Sequence, residues 1–298
     1  MRPNLSFRWC TMLPQRTSSR HPSRTVAALS AALALLAPWP APLAGTASRG
    51  GMSSQAAPSS LKVTTSRGDC TLKIYPPGPA EPGKASPAPL VLLISGEGGW
   101  RSFDVLLAGI LSAAGYWVGG VDAKQYFWNP QDDRQALAED MRRYAAALAR
   151  AAGRPEDAPL ILAGFSFGAD VSPWVAGAGG WGGRLRGLLM LGPDETGSLE
   201  FRLSELLGFE AKDHLFSVAE ALRSAAGIPA LFIHGGKDSK SAAPLLLGKA
   251  AEPKKLIVVP GADHHFSGRE DDLRAALVEG LAWLLETLPA PSSPRSRP

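Results

Sequence analysis

Apolar runs of strand length recur along the middle of the chain. They are Pro89–Ser95 (PLVLLIS), Tyr116–Asp122 (YWVGGVD), Pro159–Phe165 (PLILAGF), Arg186–Gly192 (RGLLMLG), Pro229–Gly235 (PALFIHG) and Lys255–Gly261 (KLIVVPG). A strand covered on both faces has no polar side, so these runs predict parallel strands packed between helices. Cys70–Tyr75 (CTLKIY) predicts an edge strand. Helical patterns fall between the runs, at residues 102–114, Asp132–Gly153 and Asp271–Leu288, the last two opening on acids. This alternation predicts a doubly wound, mostly parallel α/β sheet in a single domain.

The N-terminal pattern differs. Residues 1–25 carry Arg2, Arg8, Arg16, Arg20 and Arg24 and no acid, and Val26–Ala37 is apolar. PWPAPLAGTA follows and ends in small residues. This is the three-part plan of a cleaved secretory signal peptide over residues 1–47, and the apolar stretch is too short for a permanent membrane-spanning helix. Residues 48–60 and 286–298 are rich in Ser, Pro and Ala, a composition expected to stay unfolded. The predicted organisation is a signal peptide at 1–47, a flexible linker at 48–65, the α/β domain at 66–289 and a disordered tail at 290–298.

The leader changes the charge argument. The chain has 31 basic and 27 acidic residues, a net of +4. Five basic residues and no acids lie in positions 1–47, which leaves 26 against 27, or −1. The basic balance belongs to the leader and gives no reason to expect nucleic acid as a partner. Cys70 is the only cysteine beyond the leader, so no internal disulfide is expected. No H-E-x-x-H, cysteine pair or phosphate-binding G-x-x-x-x-G-K-[ST] occurs, so neither metal nor cofactor is expected.

In an open α/β sheet, ligands bind outside the carboxyl ends of the strands. Those ends carry Ser95–Trp100 (SGEGGW), Asp122, Ser166, Pro193-Asp194-Glu195, Gly236-Lys237-Asp238 and Gly261–His265 (GADHH). Gly164-Phe165-Ser166-Phe167-Gly168 fits a strand that turns abruptly into a helix and lifts a serine hydroxyl out of the sheet. G-x-S-x-G alone is a weak signal. Serine, aspartate and histidine in that chain order, each at a strand end, make a much stronger one: the order of the α/β-hydrolase triad.

Each residue type has a chemical role there. A serine hydroxyl is a poor nucleophile until a base takes its proton, and His264 or His265 would be that base. Gly261-x-x-His264 favours the first, leaving His265 as a neighbour. Asp238 would fix the imidazole tautomer. His214 and His234 read as structural. The oxyanion of the tetrahedral intermediate needs two N–H donors, expected from Phe167 and from Glu97 or Gly98.

Three stretches, SGEGGWRSFD, VGGVDAKQYFW and GFSFGADVSPW, in that order and spacing, resemble the VirJ/AcvB bacterial virulence protein family. GKDS and GADHHFSG extend the resemblance, which spans roughly Leu90 to Leu285. It implies an α/β hydrolase exported to the periplasm, with Ser166, Asp238 and His264 in the triad roles. The family's longer member acts on aminoacylated phosphatidylglycerol and removes the lysyl group. An ester substrate of that kind is implied here, with peripheral contact at the membrane surface and secretion-system components as partners. The sequence departs from the family in having Glu97 where aspartate is usual and a shorter segment around Lys237.

The acids at the strand ends bear on substrate. Glu97 and Asp194 would favour an ester carrying an ammonium group over a neutral one, unless they are solvated turn residues. Trp100 is a further candidate substrate contact. Trp100, Phe127, Trp128 and Trp174 either touch lipid or substrate or pack the core. The alternative to an esterase is a non-catalytic binding or assembly factor associated with a secretion system or virulence, which has no need of an intact triad.

Overall fold

A computed structural model describes residues 57–78, 88–200 and 214–287. The expected signal peptide and C-terminal tail lie outside the described residues.

Among the described residues, ten strands are formed: β1 (Ser59–Thr65), β2 (Gly68–Tyr75), β3 (Leu90–Ile94), β4 (Val118–Val121), β5 (Leu160–Phe165), β6 (Leu185–Leu191), β7 (Thr196–Ser198), β8 (Leu215–Ser217), β9 (Ala230–Gly235) and β10 (Lys254–Val259). The helices among them are α1 (Ser102–Ala113), α2 (Ala123–Tyr126), α3 (Arg134–Ala151), α4 (Phe167–Ala176), α5 (Val218–Ser224), α6 (Ala243–Lys249) and α7 (Glu270–Glu286). Eight strands make one sheet in the order β1-β2-β4-β3-β5-β6-β9-β10. β2 runs antiparallel to both its neighbours, and the other pairs are parallel. β7 and β8 form a separate antiparallel pair.

The apolar runs are central strands for the expected reason. In β3, Leu90, Leu92 and Ile94 face one core and Val91 and Leu93 the other, all buried. The first core takes residues from α3, α4, α5 and α6, and the second from α1 and α7. Helices therefore cover both faces of a mostly parallel sheet, the architecture the alternation predicts. Among the described residues, no helix is long and apolar enough to cross a membrane.

Two expectations are revised at the start of the domain. β1 lies inside the stretch read as linker, and it covers β2, so β2 is not the edge. Only Val63 and Thr65 of β1 are buried. The strand is held by its hairpin register with β2 and by the turn that follows it. Asp140 of α3 accepts hydrogen bonds there from Ser66 N (2.8 Å), Ser66 Oγ (2.5 Å) and Tyr126 Oη (2.7 Å).

Candidate active site

β5 ends at Phe165 and α4 begins at Phe167, so one residue makes the whole turn. That residue is Ser166, with φ 50° and ψ −117°, in the region L-residues avoid. Such a conformation costs on the order of 1–3 kcal/mol and persists only where the surroundings impose it. The imposition comes from two glycines. A Cβ at Gly164 would stand 2.1 Å from the Gly168 carbonyl carbon, and one at Gly168 would stand 2.1 Å from Ile94 O. Strand, turn and helix can pack this closely only without those side chains. Ser166 N donates to Leu191 O (2.8 Å), which ties the turn to β6.

The loops after β9 and β10 are zipped together. Gly236 N donates to Val259 O (2.9 Å) and Lys237 N to Ala262 O (2.8 Å). Asp238 is buried, and its Oδ1 accepts from Lys240 N (3.0 Å) and Ser241 N (3.2 Å). Its Oδ2 is left for His264 Nδ1 at 2.7 Å. Asp263 Oδ1 accepts from His265 N (3.0 Å) and Ser267 N (2.9 Å), shaping the loop that carries both histidines. His265 makes ring contacts instead, with centroids 5.6 Å from Phe103 and 5.4 Å from Phe165. Burial and the neighbouring His264 push its pKa below the usual histidine value.

The loop after β3 is a tight turn closed by Gly99 N donating to Gly96 O (3.0 Å). Asp104, one turn into α1, pins it: its carboxylate accepts from Gly96 N (3.2 Å) and Arg101 N (2.9 Å). Burial raises the Asp104 pKa, and these hydrogen bonds oppose the rise. Among the described residues, the N–H groups of Glu97, Gly98 and Phe167 carry no hydrogen bond. Phe167 N–H is free because the first turn of a helix has no carbonyl behind it.

These loops enclose a cleft of about 420 Å³. Ser166, His264, His265, Glu97, Gly98 and Asp194 line it. Serine, histidine–aspartate pair and two free-donor segments therefore meet at one place. A hydroxyl there can be deprotonated by an imidazole whose tautomer is fixed from behind, with main-chain donors for a developing oxyanion.

Trp100 does not line the cleft. Its indole lies over Gly120 of β4, where a Cβ would stand 2.2 Å from the ring, and it donates to Tyr75 Oη (3.1 Å). Phe127 is buried against Phe167, with centroids 5.0 Å apart. Trp174 packs on Phe216 at 4.6 Å, with the Arg134 guanidinium over its ring. His214 lies away from the cleft, with Nδ1 2.5 Å from Asp132 Oδ1.

Four residues important to the site were not anticipated: Arg101, Asp104, Asp170 and Lys240. Asp170 is buried in α4 and accepts the backbone N–H of Asp194 (2.8 Å), and burial holds its pKa well above the usual carboxylate value. Asp104 had one signal, an acid in the first turn of a predicted helix. The other three are ordinary helix and turn residues in sequence.

The family of bacterial virulence proteins named VirJ matches residues 89–283. The chain belongs to this family. No curated protein matches it. Among solved structures it is similar to an esterase domain from Rhodothermus marinus (17% identity, TM-score 0.53), over 76% of this chain and 98% of that one. It is also similar to a dienelactone hydrolase from Anabaena variabilis (16%, TM-score 0.56; 77% and 99% covered). An α/β serine hydrolase without a lid from Xanthomonas campestris aligns at 24% identity and TM-score 0.50, over 78% and 97%. These likenesses place this VirJ-family chain in the α/β-hydrolase fold.

Proposed function

We propose that the protein is a serine hydrolase that cleaves a carboxylic ester with Ser166, His264 and Asp238. The observation that carries this reading is the 2.7 Å contact between His264 Nδ1 and Asp238 Oδ2, in the cleft where the strained Ser166 turn stands. His264 takes the proton of Ser166 as its oxygen attacks the ester carbonyl. The N–H groups of Phe167 and of Glu97 or Gly98 hold the oxyanion. His264 then returns the proton to the departing alcohol, and water repeats the sequence on the acyl-enzyme.

The substrate class we propose is an aminoacyl ester such as lysyl-phosphatidylglycerol, met in the periplasm at the membrane surface. Family resemblance supports it, as do two carboxylates, Glu97 and Asp194, in the cleft wall. Glu97 Oε1 is buried without a hydrogen-bond partner, so a substrate ammonium would give it one.

The test is Ser166→Ala. The variant is expected to keep the fold, to lose labelling by a fluorophosphonate probe, and to lose hydrolysis of lysyl-phosphatidylglycerol and of a short nitrophenyl ester. Labelling that persists at wild-type level would remove Ser166 from the reaction. Wild-type turnover of the nitrophenyl ester but not of lysyl- or alanyl-phosphatidylglycerol would keep the hydrolase and reject the substrate.

A further inference from the structure

The cleft carries cations as well as acids. Arg101, at the N-terminal end of α1, and Lys240, in the loop after β9, both line it and are exposed. Neither is ion-paired among the described residues. Arg101 Nε donates to Gly98 O (2.8 Å), which fixes the stem of the guanidinium and leaves its terminal nitrogens without an acceptor among the described residues. The other concave patch rich in cations, beside β1 and α3, is different. There Arg142 and Arg143 pair with Glu139 and Arg150 pairs with Glu156, and only Lys62 and Arg184 of its lining cations have no ion pair among the described residues.

Position gives the two unpaired cations a direction. His265 packs on Phe103 in the first turn of α1. Lys240 N donates to Asp238 Oδ1 (3.0 Å), and the other oxygen of that carboxylate holds His264. The N-terminal end of α1 and Lys240 thus flank the histidine side of the cleft. If His264 returns its proton to the leaving alcohol, the alcohol oxygen must sit on that side. Substituents of the alcohol then lie toward Arg101 and Lys240, while the acyl carbonyl faces the donors of Glu97, Gly98 and Phe167.

We propose that Arg101 and Lys240, with exposed Ser102 at the N-terminal end of α1, form a subsite for a phosphate group carried on the alcohol portion of the ester. A guanidinium offers paired donors to phosphate oxygens and lysine a point charge. The positive end of a twelve-residue helix adds to both. This inference rests on the ester-hydrolase reading and assigns the cleft a polarity: ammonium toward Glu97 and Asp194, phosphate toward Arg101 and Lys240.

The experiment uses the full chain and a nitrophenyl ester, with glycerol, inorganic phosphate, sn-glycerol 3-phosphate and phosphatidylglycerol vesicles as competitors. Glycerol 3-phosphate is expected to inhibit competitively and neutral glycerol not to. The inhibition constant should rise about tenfold or more in R101Q/K240Q, the scale of losing charge-assisted hydrogen bonds. Vesicles that also inhibit, with the same loss in the double variant, point to a lipid headgroup. Inhibition by the soluble phosphates alone points to a soluble phosphate ester. No inhibition by any phosphate compound, or inhibition unchanged in R101Q/K240Q, overturns the subsite. If the nitrophenyl ester is not turned over, the hydrolase reading fails separately. Calorimetric binding of glycerol 3-phosphate to the two folded proteins then decides the subsite by the same criterion.

Discussion

His264 Nδ1 faces Asp238 Oδ2 at 2.7 Å, and Gly192 at the end of β6 lies beside both. A Cβ on Gly192 would come within 2.9 Å of His264 Cε1 and 3.4 Å of that carboxylate oxygen. The pair is therefore confined sterically as well as hydrogen-bonded. Asp238 spends its other oxygen on Lys240 N and Ser241 N, so the carboxylate cannot rotate without releasing two backbone hydrogen bonds. This separates a structural half of Asp238 from a chemical half. Asp238→Asn can keep the amide oxygen on the two N–H groups while presenting an NH₂ to the imidazole. That stabilises the wrong tautomer. We expect folding to be retained and kcat on the nitrophenyl ester to fall by about 10³–10⁴-fold. A loss below tenfold would show that the tautomer is set by something other than Asp238.

The two histidines separate by their partners. His264 holds Asp238, whereas His265 makes ring contacts with Phe103 and Phe165 and has a lowered pKa. His264→Gln is expected to cost about 10³-fold or more in kcat, and His265→Gln much less. The reverse order in steady-state kinetics would transfer the role to His265.

Asp170 gives a prediction about stability. Its pKa is raised in the folded protein by burial, with Asp194 nearby adding to the rise. Between the unfolded and folded pKa values the native state binds the extra proton. Stability is therefore expected to fall as pH rises through that interval. Asp170→Asn keeps an oxygen for Asp194 N and has no proton to lose. The urea midpoint of the variant should match wild type at acid pH and exceed it increasingly as pH rises through the interval. A difference that stays constant with pH would mean the Asp170 carboxyl does not titrate differently on folding.

Most of the sheet was legible because its central strands are apolar on both faces, of strand length and bounded by glycine and proline. β1 was not, because only Val63 and Thr65 turn inward and its other residues look like the Ser-rich stretch before it. The sequence leaves Trp100 open between a substrate contact and a core residue, and the structure packs it against the core. The clue lay in Gly119-Gly120 inside β4, since paired glycines in a strand mark a close approach by another group. Leu72 and Leu148 fill the space over Gly119, and Trp100 fills that over Gly120. Ser166, Asp238 and His264 were legible because they end strands and are of reactive types. Asp104 and Asp170 act through backbone hydrogen bonds formed only on folding. Arg101 and Lys240 matter because nothing among the described residues pairs with them, which a sequence does not record.

Glu97 carries the last prediction. Its backbone N–H is one of the free donors of the turn after β3, while its carboxylate lines the same cleft with one oxygen buried and unpartnered. Substitution by glutamine leaves the backbone donor in place and removes only the charge. Activity of Glu97→Gln on a neutral nitrophenyl ester should therefore change little. Activity on a lysyl ester should fall about tenfold or more, the ~1.5–3 kcal/mol scale of a hydrogen bond to a charged group. The wild-type preference should shrink at high salt, because a half-buried carboxylate is partly screened. Equal losses on both substrates would mean that the side chain shapes the loop rather than reading charge. No loss on either would place the ammonium elsewhere and leave Asp194, on the opposite loop, as the next carboxylate to substitute.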